Sequence, residues 1–339
     1  MAAATIRDVA REAGVSVATV SRVLNKSSQV SEETSQKVLS TIAALDYSPS
    51  QTARRLSIGR THTIGVLLPF LTLPSYVERL RGVESTLAAT EYDLVLFSAE
   101  TPEKVDSYFT QLSRPDRTDG VIAISLKPNN YHASRYRETN MPIVLIDAKH
   151  PDLTSIVVDD SAGGYDATRY LIGLGHRKIA YLSDHLENQF GFVAMRERFK
   201  GYRKAIEQAG ISFNPEYHQE SELGGGGSVR LAKKMLSGIE PPTAIFAASD
   251  THAAGVLKAA QELGIRIPEE LSVIGFDDIR DSDYMDITTI HQPLYESGVL
   301  GVDLLLTYLL EGSLVENERI LPTKLVVRGT TAPPETRDS

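Results

Sequence analysis

The amino-terminal region alternates apolar and polar positions at the period of an α-helix, in short segments separated by small residues. In the first segment, the i, i+3, i+4 and i+7 positions form one helical face of Ile6, Val9, Ala10 and Ala13. Gly14 then supplies a flexible turn, and Ser16 stands where an N-cap residue would begin the next helix. The pattern predicts two helices joined by a tight turn.

The second segment separates its residues onto two opposite faces of a helix. At about 100° per residue, the apolar face contains Val20, Val23 and Leu24. The opposite face is small, polar and basic, and it presents Ala18, Ser21, Arg22 and Asn25.

A third helix is predicted after Ser31, a typical N-cap residue that two acidic residues follow. Its buried stripe comprises Val38, Ile42 and Leu45. Two helices joined by a glycine turn and braced by a third form a helix-turn-helix, so residues 17–25 are predicted to lie in the major groove of DNA. The guanidinium of Arg22 has the geometry to contact a guanine edge.

The rest of the chain has a different pattern, in which strand-like apolar runs alternate with helical stretches. Seven such runs are TIGVLLP, YDLVLFS, GVIAIS, PIVLID, KIAYLS, TAIFAAS and LSVIGF. The alternation predicts an α/β fold with parallel sheets, and the number of strands fits two similar lobes. Ligands of such sheets bind at the carboxyl ends of the strands, which places a candidate site in the cleft between the lobes.

Charge is distributed unevenly between these two regions. Residues 1–60 carry eight basic and five acidic side chains, a net charge of +3. Because the whole chain has a net charge of −9, the other 279 residues carry −12. This arrangement is expected if only the head approaches a polyanion, because the field of the body opposes phosphate. Random asymmetry of a solvated surface is the alternative that charge alone leaves open.

Composition excludes several classes of protein. The chain has no cysteine, so disulfides, thiolate metal sites and a catalytic cysteine are excluded. It has no basic-then-apolar signal segment and no apolar run of about 18 residues, so we expect a cytoplasmic protein that does not enter a membrane. Its length fits a small module followed by a two-lobed one.

Polar side chains follow several of the predicted strands. Asp147 follows PIVLI, Ser249 and Asp250 follow TAIFAA, and Asp277 and Asp278 follow LSVIGF. Carboxylates and hydroxyls of this kind suit a small ligand rich in hydroxyl groups. For each aspartate the alternative is a helix N-cap or a salt bridge between the lobes, and we expect Asp250 and Asp278 to have mainly structural roles.

Signals for catalysis are weak. The glycines at 224–227 lack the following Lys-Ser/Thr of a phosphate loop, and GLGHRK lacks the third glycine of a dinucleotide site. The eight histidines show no metal-ligand spacing. Asp277 and Asp278 are adjacent on one strand end, so their side chains point in opposite directions. We therefore expect no catalytic residue, no metal and no cofactor.

The stretch TIRDVAREAGVSVATVSRVLN, at residues 5–25, resembles the amino-terminal signature of the lactose-repressor (LacI/GalR) family of bacterial transcription regulators. The resemblance continues along the chain through YSPSQTARRLSIGRTHTIGVLLP, LGHRKIAYLS, MRERFKGYRKAI, LGIRIPEELSVIGFDD and TTIHQPLYESG. It implies a helix-turn-helix head and a hinge helix, followed by a periplasmic-binding-protein-like core of two lobes joined by three crossings.

The domain boundaries implied by this resemblance are a head at 1–48, a hinge at 49–61, a core at 62–330 and a tail at 331–339. Lobe one comprises residues 62–160 and 291–320, and lobe two comprises 161–290 and 321–330. The tail is polar, and we expect it to be disordered.

The resemblance also implies which residues contact DNA. In the head they are Thr5, Ser16, Val17, Ala18, Ser21, Arg22 and Asn25, and in the hinge they are Ala53, Arg54 and Leu56. Val17 and Ala18 are expected to select the operator by apolar contact, for example with a thymine methyl group. Leu56 is expected to enter the minor groove as a wedge at the centre of the operator, although it could be a simple linker residue.

For the effector, the resemblance implies contacts from Phe70, Tyr76, Asp147, Phe192, Arg198, Ser249, Asp277 and Gln292. This chain departs from the family pattern at PFLTLPSY, at FVAMRERF and at Leu223, where apolar residues replace polar or stacking ones. The pocket is therefore expected to be more apolar than a plain sugar site.

These features predict a dimeric DNA-binding repressor, because one helix-turn-helix contacts only a few base pairs and a pseudo-palindromic operator requires two. A small molecule in the cleft, a sugar or sugar derivative, is expected to release it from double-stranded operator DNA. The alternative is a co-repressor-dependent regulator that responds to a nucleoside or another metabolite. A sugar transport receptor and a core with an inactive head are less consistent with the sequence of the head.

Overall fold

The computed structural model describes residues 4–24, 29–47, 60–312 and 318–335. The chain divides into two compact units, Met1–His62 and Thr63–Ser339.

The first unit contains the three predicted helices, α1 (Ile6–Ala13), α2 (Val17–Leu24) and α3 (Glu32–Ala44). Their buried core consists of Val9, Ala10, Ala13, Val20, Val23, Val38 and Tyr47. Ile6, Ile42 and Leu45 are partly buried and pack against this core. The helical periods read from the sequence therefore identify the buried faces correctly.

The second unit contains two six-stranded sheets. The strands of the first are β1 (Thr63–Leu68), β2 (Asp93–Ser98), β3 (Gly120–Ile124), β4 (Ile143–Ile146), β5 (Thr154–Val158) and β11 (Glu318–Leu321). Their order is β11-β5-β4-β3-β1-β2, and every pair is parallel. We call this sheet and its helices lobe one.

The second sheet belongs to lobe two. Its strands are β6 (Ile179–Asp184), β7 (His218–Ser221), β8 (Ala244–Ala247), β9 (Ser272–Asp277), β10 (Thr288–His291) and β12 (Lys324–Val326). Their order is β12-β10-β9-β8-β6-β7, with β12 antiparallel to β10 and the other pairs parallel.

Helices cover both sheets, so the central strands are buried on both faces and consist of nearly continuous apolar residues. The helices of lobe one are α4 (Pro74–Leu87), α5 (Pro102–Leu112), α6 (Asn130–Glu138) and α12 (Leu294–Glu311). Those of lobe two are α7 (Asp160–Gly173), α8 (Ala194–Gln208), α9 (Ser228–Leu236), α10 (Asp250–Leu263) and α11 (Arg280–Tyr284), with a 3₁₀ turn at Pro215–Tyr217.

Close helix packing positions the elements around the cleft. A Cβ added at Gly201 of α8 would lie 2.1 Å from the carbonyl oxygen of Ser161 in α7. A Cβ at Gly82 of α4 would lie 2.0 Å from the carbonyl oxygen of Tyr295 in α12. These helix backbones are in direct contact, so the residues that α4 and α8 direct toward the cleft have fixed positions.

The seven apolar runs all form strands, namely β1, β2, β3, β4, β6, β8 and β9, and the expected C-terminal strand is β12. The sequence reading missed β5, β7, β10 and β11. Strands β7 and β11 are short and lie at or next to sheet edges, and β5 and β10 begin with hydroxyl residues instead of an apolar run. The predicted parallel sheets are confirmed for most strand pairs, whereas β12 runs antiparallel along β10.

The expectation of a disordered tail is wrong for residues 331–335, which the structure describes. The backbone of Ala332 accepts hydrogen bonds from His176 and Ser272, and Thr331 bonds with Tyr170. Buried polar groups of lobe two find partners in the tail, and this holds it in place. Within the described ranges, no helix is long and apolar enough to cross a membrane.

Candidate DNA-contacting face and ligand cavity

The N-terminus of α1 is closed by a capping box. The backbone N–H and the hydroxyl of Thr5 donate to a carboxylate oxygen of Asp8 at 3.0 and 2.6 Å, and the backbone N–H of Asp8 donates back to the Thr5 hydroxyl. The hydrogen bonds from Thr5 lower the pKa of Asp8 below its ordinary value. Thr5 is therefore fixed at the start of α1.

A left-handed glycine sets the turn between α1 and α2. Gly14 has φ +63°, and its backbone N–H bonds to carbonyl groups at the end of α1. Ser16 caps the next helix, since its hydroxyl accepts the backbone N–H of Thr19 at 3.1 Å. A side chain at position 14 would strain this turn, which explains the glycine found there.

Helix α2 presents the face that the sequence predicted. Ala18 and Arg22 are exposed, Ser21 is half-buried, and Val17 has 42% of its surface exposed. Val20 and Val23 lie on the buried side. The expected DNA contacts Asn25, Ala53, Arg54 and Leu56 lie outside the described residues.

A cavity lies between the two lobes of the second unit, at the carboxyl ends of the strands. Lobe one contributes residues of α4 and of the ends of β3 and β4, and lobe two contributes residues of α8 and of the ends of β6, β8 and β9. Its free volume is about 90 Å³. A wider space of about 470 Å³ adjoins it, and the two share Ser125, Asp147, Phe192 and Ala194.

Three polar residues at strand ends in this cavity have left-handed backbone conformations. The φ angles are +57° at Ser125, +60° at Asp147 and +116° at Asp277. Such angles are uncommon for residues other than glycine, and strain of this kind clusters at ligand sites. The Ser125 hydroxyl donates to the Asp147 carboxylate at 2.5 Å, which fixes both side chains.

Arg198 lies in the lobe-two wall and makes three hydrogen bonds to its own chain. Its Nε donates to Asp160 at 2.8 Å, and its Nη1 donates to the carbonyl of Ala248 at 2.6 Å and to Asp277 at 3.3 Å. Its guanidinium also stacks on the ring of Phe276 at 3.6 Å. Burial by itself would lower the pKa of Arg198, but the two carboxylates raise it, so the side chain stays charged.

Arg79 of α4 is the corresponding cation on the lobe-one wall, and the sequence reading missed it. Its Nη2 donates to the amide oxygen of Gln292 at 3.3 Å and lies 3.5 Å from Asp147. Gln292 in turn donates to Asp277 at 2.5 Å. A polar chain thus connects the two lobes through a residue of the crossing that follows β10.

A second polar network lies deeper in lobe two. The His252 ring bonds through Nδ1 to the Ser249 hydroxyl at 2.6 Å and through Nε2 to Asp184 at 3.1 Å. Asp184 also accepts the backbone N–H groups of Gly224 and Gly225. Burial would raise the pKa of Asp184, but the hydrogen bonds from His252 and the two backbone groups lower it below its ordinary value.

Apolar side chains of both lobes close over the cavity. Phe70 of lobe one packs edge-on against Phe190 of lobe two with ring centroids 5.5 Å apart, and Phe190 stacks on Phe192 at 5.1 Å. A Cβ added at Gly224 would lie 2.8 Å from Cδ2 of Leu73, so the glycine loop contacts lobe one. The lobes are therefore close together in this structure.

The cavity brings together most of the predicted effector contacts: Tyr76, Asp147, Phe192, Arg198, Ser249, Asp277 and Gln292 all line it. Phe70 does not line it, because its ring is directed against Phe190. Leu223, noted as an apolar replacement, is in the wall.

Three further residues that line the cavity could have been predicted from the sequence. Ser125 and Asp184 stand at strand ends, as Asp147 does, and Arg79 lies one helical turn after Tyr76. The same rules of strand ends and helical spacing would have found them.

The structural roles expected for Asp250 and Asp278 are confirmed by their contacts. Asp250 accepts from the hydroxyls of Ser282 and Thr289, and Asp278 bonds with Arg328 and His291. Among the described residues, no group of three or more acidic or histidine side chains could hold a metal ion.

Comparison with known proteins gives matches to both units. Residues 5–50 match the family described as "Bacterial regulatory proteins, lacI family", and residues 168–331 match the family described as "Periplasmic binding protein-like domain".

Two relatives match along nearly the whole chain. The HTH-type transcriptional repressor PurR of Vibrio vulnificus (strain CMCP6) is 37% identical over 96% of this chain and 98% of that protein. The Ribose operon repressor of Escherichia coli (strain K12) is 35% identical over 96% of this chain and 99% of that protein. Among solved structures, the Lac repressor dimer bound to operator and the anti-inducer ONPF matches with a TM-score of 0.83 and 29% identity, covering 98% of this chain and 100% of that one.

Proposed function

The chain belongs to the LacI family of bacterial regulatory proteins, and we propose that it acts as a dimeric transcriptional repressor that a small molecule in the interlobe cavity releases from its operator. The observation that carries the proposal is the presence, in one chain, of a helix-turn-helix and of a strained, polar cavity at the carboxyl ends of the parallel strands of two sheets.

The exposed face of α2 is the part that would contact bases. Its small residues allow the helix to enter the major groove deeply, Val17 and Ala18 would contact bases by fit, and Arg22 would donate to a guanine edge. Thr5 and Ser16, at the beginnings of α1 and α2, would contact phosphates. A second copy of the chain would supply the second head, as a pseudo-palindrome requires.

The core would couple effector binding in the cavity to operator binding by the head. We propose that the effector occupies the cavity together with the adjoining space, which shares four lining residues with the cavity, and changes how the lobes close. The expected coupling between effector and operator is roughly 1–3 kcal/mol. We keep a sugar or sugar derivative as the effector class, since the relatives include the Ribose operon repressor, and a nucleoside or another metabolite as the alternative.

The domain division is also a proposal, with a head at 1–48, a hinge at 49–61 and a core at 62–330. The minor-groove wedge at Leu56, with Ala53 and Arg54 beside it, rests on the family resemblance. A role without catalysis is part of the proposal, and it is supported by relatives that are transcriptional repressors. A regulator of this kind acts on the bacterial chromosome and therefore in the cytoplasm.

Selection of binding sites from random DNA by the full-length protein tests the proposal. We expect a pseudo-palindrome, bound with one dimer per site, and loss of specific binding in Arg22→Ala. Lys200→Ala serves as the control, because this exposed lysine of α8 lies in the other unit. Failure to enrich any symmetric sequence would argue against a repressor.

A further inference from the structure

The cavity contains two buried arginines that differ in how well their own chain satisfies them. Arg198 makes three hydrogen bonds, two of them at 2.6 and 2.8 Å, and stacks on Phe276. Arg79 is 4% exposed, and its closest contacts are at 3.3 Å to Gln292 and 3.5 Å to Asp147. Within the described part of the chain, its buried Nε has no hydrogen-bond partner.

A buried guanidinium N–H without a partner is costly, because it has lost water and gained nothing in exchange. The ion pair with Asp147 and the hydrogen bond to Gln292 both involve Nη2 of Arg79, so neither provides an acceptor for its Nε–H. Arg79 also lines the cavity, on the helix turn that follows Tyr76. The Nε–H of Arg79 is therefore a hydrogen-bond donor for which a ligand in the cavity can supply the acceptor.

The charged side chains of the cavity wall restrict the class of ligand that Arg79 can bind. The cavity is lined by the carboxylates of Asp147, Asp184 and Asp277 and by the guanidinium groups of Arg79 and Arg198. Asp160 adds a further carboxylate next to Arg198. An anionic ligand would add another negative charge to a wall with an excess of carboxylates, in surroundings that screen charge weakly. A hydroxyl or carbonyl oxygen instead accepts from Arg79, and hydroxyl hydrogens can be donated to the carboxylates.

We propose that Arg79 is a specificity-determining residue whose Nε–H donates to an oxygen of an uncharged, hydroxyl-bearing effector, and that the cavity rejects phosphorylated and acidic forms of the same molecule. Arg79 would thus bind the effector in addition to Arg198, which also lines the cavity. This inference rests on the effector function proposed above and names the class of effector.

A matched panel tests it on the full-length protein. Ribose, glucose, galactose, cellobiose and adenosine are each compared with their phosphorylated or carboxylate forms, first by thermal shift and then by calorimetric titration. We expect at least one uncharged member to bind and its charged counterpart not to bind. A charged form that binds better, or a panel in which no uncharged member binds, would overturn the proposal.

The variants separate a ligand role from a structural one. Arg79→Met should weaken binding of the uncharged ligand roughly 10- to 100-fold, the usual effect of losing a hydrogen bond to a charged group. Arg81→Met is the matched control, because Arg81 lies on the same helix, is 54% exposed and pairs with Glu78. It should leave the affinity unchanged.

Stability without ligand gives the second readout. Arg79→Met should lower the unfolding temperature less than Arg198→Met does, because Arg79 makes one hydrogen bond at 3.3 Å and one ion pair at 3.5 Å, whereas Arg198 makes three hydrogen bonds and pairs with two carboxylates. A loss of stability in Arg79→Met as large as that in Arg198→Met would assign Arg79 to the fold and contradict the proposal. Operator binding of the wild type and of each variant is measured in parallel. If the wild type bound no operator, that result would contradict the repressor function and not the role of Arg79.

Discussion

The exposed face of α2 and the interlobe cavity are built in opposite ways. The face is formed by one helix of eight residues, and its outward side chains contribute little to the core beneath it. The cavity is assembled from segments between residues 73 and 292, and its polar groups are bonded to one another across strands and helices. One surface can therefore change sequence without affecting the fold, and the other cannot.

This difference has a physical origin. Exposed side chains stay hydrated when no ligand is bound, so no partner has to be provided for them. Buried charges must be paired within the protein, and removing one partner leaves the other uncompensated. The cavity of this LacI-family regulator is consequently both a binding site and part of the fold, and the following predictions test that contrast.

The largest effect is expected for Gly201→Ala. The added Cβ would lie 2.1 Å from the carbonyl oxygen of Ser161 and 2.5 Å from the backbone nitrogen of Tyr165, so α7 and α8 must separate. We expect a loss of about 4 kcal/mol or more in unfolding free energy, measured by urea denaturation. Gly173→Ala is the control, since nothing lies within 4 Å of a Cβ at that position. Equal stability of the two variants would refute the close helix contact.

Arg198→Met should destabilise the core by about 3 kcal/mol, because Asp160 and Asp277 lose their cation. Burial raises the pKa of Asp277, so this carboxyl can take up a proton as the pH falls. The loss is therefore expected to be larger at pH 8 than at pH 5. Urea denaturation at both pH values measures it, and a loss that does not depend on pH would contradict the assignment.

Asp250→Asn tests a carboxyl that belongs to the fold behind the cavity. Burial and the neighbouring charge of Asp277 raise the pKa of Asp250 to about 7, from an ordinary value of 3.8. The folded protein retains this proton to higher pH than the unfolded chain, so the contribution to stability is complete below about pH 4 and is lost as the pH rises toward 7.

In the wild type, this group should therefore reduce stability by about 2 kcal/mol between pH 5 and pH 8. The asparagine variant should lack that dependence, as followed by urea denaturation at the two pH values. Asp281→Asn, an exposed carboxyl in α11, should behave like the wild type.

The smallest effect on stability is expected on the DNA-contacting face. Val17→Ala changes an exposed side chain, so the unfolding free energy should change by less than about 0.5 kcal/mol. The preferred operator, obtained by selection from random DNA, should nevertheless change at the bases that Val17 contacts. The buried neighbour Val20→Ala should show the reverse, with lower stability and an unchanged sequence preference.

Some features of this protein follow from the sequence by itself. The helical period of residues 6–24 identified both the buried and the exposed side of the helix-turn-helix, because the residues that decide it are a few positions apart. The apolar runs identified the central strands for the same reason, and the strand-end rule found Asp147, Ser249 and Asp277.

Only the tertiary structure decided how the polar residues of the cavity pair. Arg79 and Arg198 have the same side chain, and no local pattern in the sequence distinguishes them. Only the fold places Asp160 and Asp277 beside Arg198, and only the fold leaves the Nε of Arg79 without a partner among the described residues. Likewise, only packing across the cleft turned Phe70 away from the cavity and onto Phe190. Hydrogen bonds and contacts between residues far apart in the chain depend on where the whole fold places them, and the period of a single helix or strand carries no such information.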